Sequence, residues 1–208
     1  MTVSRRTLMA LTAAFTLAFG LPSGLSAKIV DTEKAMTELV IGNADAKVEI
    51  IEYASLACPA CLHFHEKIYP VLKTDYIDTG KVKFVFRDFP TNTPALAAAM
   101  IARCAGPERH KAMVDVFFDT QAQWSRSDNP MQALGMVARM AGLGPADVDQ
   151  CIKNSDLMNH IQTKAKKANE EMGVNATPTV IVAGKISEHT MDITKLKAEI
   201  DAAIKAAK

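Results

Sequence analysis

Apolar residues along the chain recur with two periods, and the order in which those periods alternate predicts an architecture. Val48-Glu49-Ile50-Ile51-Glu52-Tyr53 is rich in β-branched and aromatic residues and too apolar for a surface edge, which predicts a buried strand. The period then changes. After Cys58-Pro59-Ala60-Cys61, the residues Phe64, Ile68, Val71 and Leu72 follow at helical spacing, and Pro59 suits a first helical position. Gly80 ends that unit, and Val82-Lys83-Phe84-Val85-Phe86 returns to strand character, so a β-α-β unit is complete by residue 87. Before it, Lys28 to Asp45 forms a short polar lead.

From Thr93 to Gly173 the pattern is helical throughout, with helices predicted over Ala95–Cys104, Glu108–Gln121, Met131–Met140, Ala146–Lys153 and Ser155–Met172. Gly106-Pro107, Asn129-Pro130 and Gly142-Leu143-Gly144-Pro145 mark the breaks, and Gly173 caps a last helix with Leu157, Ile161, Ala165, Ala168 and Met172 on one face. Strand character resumes at Pro178-Thr179-Val180-Ile181-Val182. A turn at Ala183-Gly184 leads to Lys185-Ile186-Ser187, and a final helix turns Ile193, Leu196, Ile200 and Ile204 inward. No internal repeat and no interdomain linker interrupts this order. The expected class is α/β, with residues 93–173 an all-helical insertion between 28–92 and 174–208.

The first residues stand apart. Ser4-Arg5-Arg6, the apolar run Leu8 to Leu21 and Pro22-Ser23-Gly24-Leu25-Ser26-Ala27 have the form of a signal peptide over residues 1–27, cleaved after Ala27. The apolar run is shorter than the roughly 20 residues of a spanning helix. The two arginines leave the export route open between the general and twin-arginine systems. Removing them from a chain of 24 basic and 23 acidic residues gives a near-neutral mature protein, which disfavours nucleic-acid binding by bulk charge. A hydrophobic content of 49% with 23% charged residues is that of a globular domain. The mature chain is expected across the membrane, where disulfides persist.

That compartment governs how the four cysteines are read. A CxxC between a buried strand and a helix is a redox arrangement, because unpaired N–H groups and the positive dipole end of the helix stabilise the Cys58 thiolate. Cys61, one turn further in, would resolve a mixed disulfide. A plain structural disulfide is the bland alternative. Zinc is disfavoured although Cys58, Cys61, His63 and His65 lie within eight residues, since positions two apart on a helix do not face each other. His65 by itself reads as a packed or solvated helix histidine. Glu52 is an acid in an otherwise apolar strand, directed either inward or to solvent. Cys104 and Cys151 either bridge or remain buried thiols. Most of the eleven methionines are expected in the core, and Trp124 is expected where the insert meets the rest of the domain.

Three stretches together resemble the DsbA-like periplasmic thiol:disulfide oxidoreductases, particularly the alphaproteobacterial branch. They are Ile50-Ile51-Glu52-Tyr53-Ala54-Ser55-Leu56-Ala57-Cys58-Pro59-Ala60-Cys61, Gly80-Lys81-Val82-Lys83-Phe84-Val85-Phe86-Arg87-Asp88-Phe89-Pro90, and Gly173-Val174-Asn175-Ala176-Thr177-Pro178-Thr179. The resemblance covers nearly all of the mature chain and implies a thioredoxin fold interrupted by a helical domain. It implies catalytic roles for Cys58 and Cys61, with Pro59 and Ala60 forming the active-site loop. Pro178 becomes a cis-proline facing the cysteines, and Thr177 before it binds an extended substrate segment by strand addition. Glu52 becomes a buried acid exchanging a proton with Cys61, its pKa raised by desolvation. His65 is a candidate modulator, and Cys104–Cys151 a second, structural disulfide.

The resemblance implies no cofactor and no metal, with a monomer donating its disulfide to reduced or unfolded exported polypeptides. Reoxidation would come from a DsbB-like quinone-linked membrane oxidase. The competing readings are a reductase or isomerase kept reduced by a DsbD-like partner, and a thiolate copper-binding module using the same two sulfurs. The best-known members of the family carry His where this chain has Ala60. Loss of that polar group is expected to move the Cys58 pKa from about 3.5, as in DsbA, toward the value of about 7 in thioredoxin.

Overall fold

A computed structural model describes residues 29–207, so the expected signal peptide lies outside the described residues. The polar lead is in fact structured. It holds a short helix, α1 (Thr32–Ala35), capped by the Asp31 side chain, and a strand, β1 (Leu39–Gly42). β1 has one buried residue at Leu39 and pairs only with β3 (Val82–Asp88), antiparallel, so its strand conformation depends on a tertiary partner and not on an apolar run.

β2 (Val48–Ala54) runs beside β3 in parallel and beside β4 (Thr179–Val182) antiparallel; β5 (Lys185–Ile186) closes the sheet in the order β1-β3-β2-β4-β5. β2 therefore lies at the centre, and successive side chains leave it on opposite faces. Ile50 and Ala54 enter the larger core with Phe64, Leu72, Phe84, Phe86, Leu196 and Ile200, whereas Ile51 and Tyr53 pack with Val85, Ala168, Val174 and Ile181. The same alternation places Glu52 on the larger-core side. A helical stretch from α2 (Pro59–His63) through α3 (Tyr69–Leu72) covers that side, with π-helical turns at Phe64–Ile68 and Lys73–Ile77. At the far end α10 (Ile193–Ala206) buries Leu196 and Ile200.

Between β3 and β4 lie six helices: α4 (Thr93–Cys104), α5 (Pro107–Asp119), α6 (Gln121–Ser125), α7 (Pro130–Met140), α8 (Pro145–Ile152) and α9 (Ser155–Met172). Asn92, Asn129 and Asn154 cap three of them with side-chain oxygens, and Gly173 ends α9 in the left-handed region at φ 74°. The helix expected to run to Gln121 instead stops at Asp119, because Thr120 leaves helical geometry and Gln121 opens a new helix. Trp124, fully buried on α6, donates its indole N–H to the Phe117 carbonyl at 2.9 Å.

The methionines correct an expectation. Among the described residues Met100 and Met113 are buried and Met36 and Met158 are half-buried against the core, whereas Met131, Met136, Met140, Met172 and Met191 are exposed, Met140 at 71%. Met136 and Met140 lie on α7 opposite the face that buries Ala133, Leu134, Val137 and Ala138, so small and branched residues already fill that seam. Cys104 at the end of α4 and Cys151 on α8 are joined by a disulfide, with their Cα atoms 6.2 Å apart.

A buried ion pair fastens the insert to the sheet. Arg103 Nε of α4 lies 2.5 Å from Asp88 Oδ2 at the end of β3, and its Nη1 donates to the Ala35 and Thr37 carbonyls at 3.3 and 3.0 Å. Removing one partner leaves the other charge uncompensated in a dry site, so Asp88→Ala is expected to cost about 3–5 kcal/mol of stability. Urea unfolding checks this, and the Asp88→Leu/Arg103→Met double variant should lose less than the single variant.

Candidate active site

Residue 58 lies at the junction between the central strand and the helix that covers it. After β2, Ser55-Leu56-Ala57 turns the chain at the end of the central strand, and the Cys58 N–H donates to the Ser55 carbonyl at 3.0 Å. Cys58 is the N-cap of α2, extended at φ −82° and ψ 122°, with Pro59 in the first turn. The loop can adopt this shape because Pro59 has its φ preset and no N–H to satisfy. Ala60 and Cys61 then aim their N–H groups at the Cys58 sulfur.

The two thiols are unlike. Cys58 is half-buried and Cys61 fully buried, and both are free. Cys58 is lowered to about 5, first by a hydrogen bond from the Cys61 side chain, with Thr177 and the Cys61 and Ala60 amides adding to it against the cost of burial. This lies between the values of about 3.5 in DsbA and about 7 in thioredoxin. Cys61 moves the opposite way, pushed well above the usual thiol range by its bond to Cys58, then by burial and by Glu52. One sulfur is thus set to carry the negative charge and the other to hold the proton.

From the other side, the loop before β4 closes over Cys58. The Thr177–Pro178 peptide is cis, and the Cys58 thiol donates to the Thr177 carbonyl at 3.3 Å. Thr179 returns its hydroxyl to the Ala176 carbonyl at 2.7 Å, which fixes the loop above the sheet.

Glu52 points into the core, 4% exposed, and its Oε1 has no hydrogen-bond partner. Burial raises its carboxyl to about 8, with the charge of Lys111 opposing and that of Cys58 adding to the rise. Lys111 comes from α5; its ammonium pairs with Asp115 and lies 4.9 Å from the centre of the Tyr69 ring. His65 Nε2 is 3.2 Å from the same Asp115, and its ring stacks against Phe118 and Tyr69 at 4.8 and 5.8 Å. Burial pushes His65 below the usual histidine value, with Asp115 opposing.

The fold therefore gathers Cys58, Pro59, Ala60, Cys61, Thr177 and Pro178 at one end of the central strands, with Glu52 beneath them. It leaves Cys104 and Cys151 elsewhere, in the insert. His63 is exposed, and among the described residues no group of three or more His, Cys, Asp or Glu side chains is arranged to hold a metal. A groove of about 700 Å³ lies away from the cysteines, between Lys47, Val182, Ile186 and Ala203.

The sequence reading missed Lys111 and Gln121, both supplied by the insert. Gln121 is buried and donates its side-chain amide to the Leu56 and Cys58 carbonyls at 2.7 and 3.0 Å. A lysine in an amphipathic helix and a glutamine at an expected helix end carry no signal of such roles. Only the helical break at Thr120 could have drawn attention to Gln121.

The family model described as Thioredoxin matches residues 34–202. A Rickettsia bellii protein, provisionally named a protein-disulfide oxidoreductase, is 30% identical over 82% of this chain and 66% of its own length. The chain spans 62–66% of the length of the rickettsial relatives it matches. Disulfide bond formation protein D of Bacillus subtilis is 26% identical over 80% of this chain and 77% of its own. Among solved structures, Wolbachia pipientis alpha-DsbA1 superposes with a TM-score of 0.74 at 27% identity, covering 82% of this chain and 92% of that one.

The Glu52 shift has a measurable sign. Its folded pKa is raised from 4.5 to about 8, so burial leaves stability intact below about pH 4.5 and costs it progressively as pH rises toward 8. Glu52→Gln should match the parent at pH 4 and exceed it above pH 8, by urea unfolding of the dithiol form across that range. Equal pH dependence of the two proteins would place the carboxyl in solvent.

Proposed function

The chain belongs to the thioredoxin family, and we propose that within it this protein is a thiol:disulfide oxidoreductase that donates the Cys58–Cys61 disulfide to reduced, exported polypeptides. The reading is carried by the unequal placement of the two sulfurs, Cys58 half-exposed at the start of α2 and Cys61 sealed behind it.

The exchange proceeds in two displacements. A substrate thiolate attacks Cys58 Sγ of the oxidised pair, forming a substrate–Cys58 disulfide while the Cys61 sulfur leaves with the electron pair and takes a proton. Glu52, protonated near neutral pH and on the same face of the sheet, supplies that proton. A second substrate thiolate then attacks the substrate sulfur of the mixed disulfide, and Cys58 leaves as its stabilised thiolate. The substrate gains a disulfide and the protein becomes a dithiol. In this reading Thr177 aligns the substrate backbone by strand addition, and His65, tied to Asp115 beside Lys111, modulates the charge felt by Glu52.

The compartment fits the same reading. With residues 1–27 removed as a signal peptide, the domain works on the exported side, and a quinone-linked membrane oxidase of the DsbB kind restores the disulfide. No cofactor enters either displacement.

Two measurements test this. Offered a polypeptide that carries a disulfide, Cys61→Ala should accumulate a mixed disulfide, because the Cys58 thiolate attacks one substrate sulfur, releases the other as a thiolate and has no resolving thiol behind it; the adduct is visible as a slower band on non-reducing gels, and Cys58→Ala should trap none and transfer none. Equilibration with glutathione should place the pair nearer the roughly −120 mV of DsbA than the roughly −270 mV of thioredoxin. A value at the thioredoxin end would make the protein a reductase.

A further inference from the structure

The active-site loop is held from outside the thioredoxin fold. Leu56 and Cys58 present their carbonyl oxygens to a single group, the Gln121 side-chain amide at the start of α6, at 2.7 and 3.0 Å. Gln121 is itself buried, at 4% exposure, so water does not compete for these bonds. The Cys58 carbonyl also accepts the Leu62 N–H at 3.1 Å, the bond that opens the helical ladder. Two donors therefore fix the peptide after Cys58, and a third contact fixes the one after Leu56.

We propose that Gln121 is a positioning residue of the redox site, by which the helical insert clamps both sides of the CxxC entry and holds the first turn of α2 against the Cys58 sulfur. This rests on the reading of Cys58 as the exchanging thiol.

Two physical effects follow from the clamp. It directs two carbonyl dipoles at the amide, so their negative ends do not swing toward a thiolate. It also fixes the peptide planes that lead into the Ala60 and Cys61 N–H groups, on which charge at Cys58 depends. The rest of α6 anchors the glutamine. Trp124 donates to Phe117 and stacks edge-on against its ring at 6.1 Å, both side chains fully buried in the larger core. The loop thus takes its geometry from a part of the chain that does not contribute to the sheet.

Gln121→Met keeps the length and shape of the side chain and removes both donors. In the purified protein, the pH midpoint of Cys58 alkylation by iodoacetamide is expected to rise by about one unit, roughly a tenfold smaller thiolate fraction below the midpoint. The glutathione equilibrium should move severalfold toward the protein disulfide, because the reduced form loses the stabilised thiolate. Gln123→Met is the control: this residue is exposed on the same helix, and its replacement should leave the Cys58 midpoint unchanged. A folded Gln121→Met protein with the parent's midpoint and equilibrium overturns the proposal, as does an equal shift in Gln123→Met.

Should Gln121→Met not fold, the side-chain amide protons of Gln121 in the unmodified protein provide a second readout. They are expected to shift in NMR spectra with the Cys58 titration, and their indifference to it also overturns the clamp. Failure of the functional reading would look different, as a parent protein that transfers no disulfide to a reduced polypeptide whatever its Cys58 midpoint.

Discussion

The whole site depends on one electrostatic constraint: two sulfurs at the first turn of a helix, one facing its unpaired amides and the other sealed behind it. Negative charge at Cys58 is favoured by donors that the helix start must expose anyway. At Cys61 the same charge would be paid in desolvation. Central β2 aims the loop, α2 supplies the amides, and the Thr177 carbonyl bounds the sulfur from above. The sheet order β1-β3-β2-β4-β5 thus places this asymmetry at a rim where Cys58 is half-exposed.

The helical insert contributes directly to that rim. Lys111 on α5 sets the field at Glu52, Gln121 on α6 grips the loop, and Arg103 on α4 binds the end of β3 through Asp88. These are contacts across long sequence separations. The insert and the split domain are therefore one electrostatic unit, though the chain enters and leaves the insert only once.

Much of the fold is legible in the residues themselves. The alternation in β2 and β3, the proline and glycine breaks between helices, and the strand-CxxC-helix order each have a local cause, and the elements stand where those causes place them. β1 was not legible because four residues with a single buried side chain make no periodic signal; the partner strand decides their conformation. The exposed methionines escaped because helical spacing reveals a face but not which face is already filled. Among the site residues, the cysteines and Pro178 carry motifs, and Glu52 stands out as an acid in an apolar strand. Gln121 and Lys111 carry nothing of the kind, since their importance arises only where α5 and α6 meet the sheet.

The bridge between Cys104 and Cys151 has a consequence for how the protein comes into being. It closes a 47-residue separation inside the insert, and it must be made after synthesis by some oxidant. Under the proposed chemistry, an oxidised copy can serve as that oxidant for a nascent one. Maturation then becomes a second-order, self-seeding process, whose speed depends on how many finished molecules already share the compartment and how promptly each is recharged.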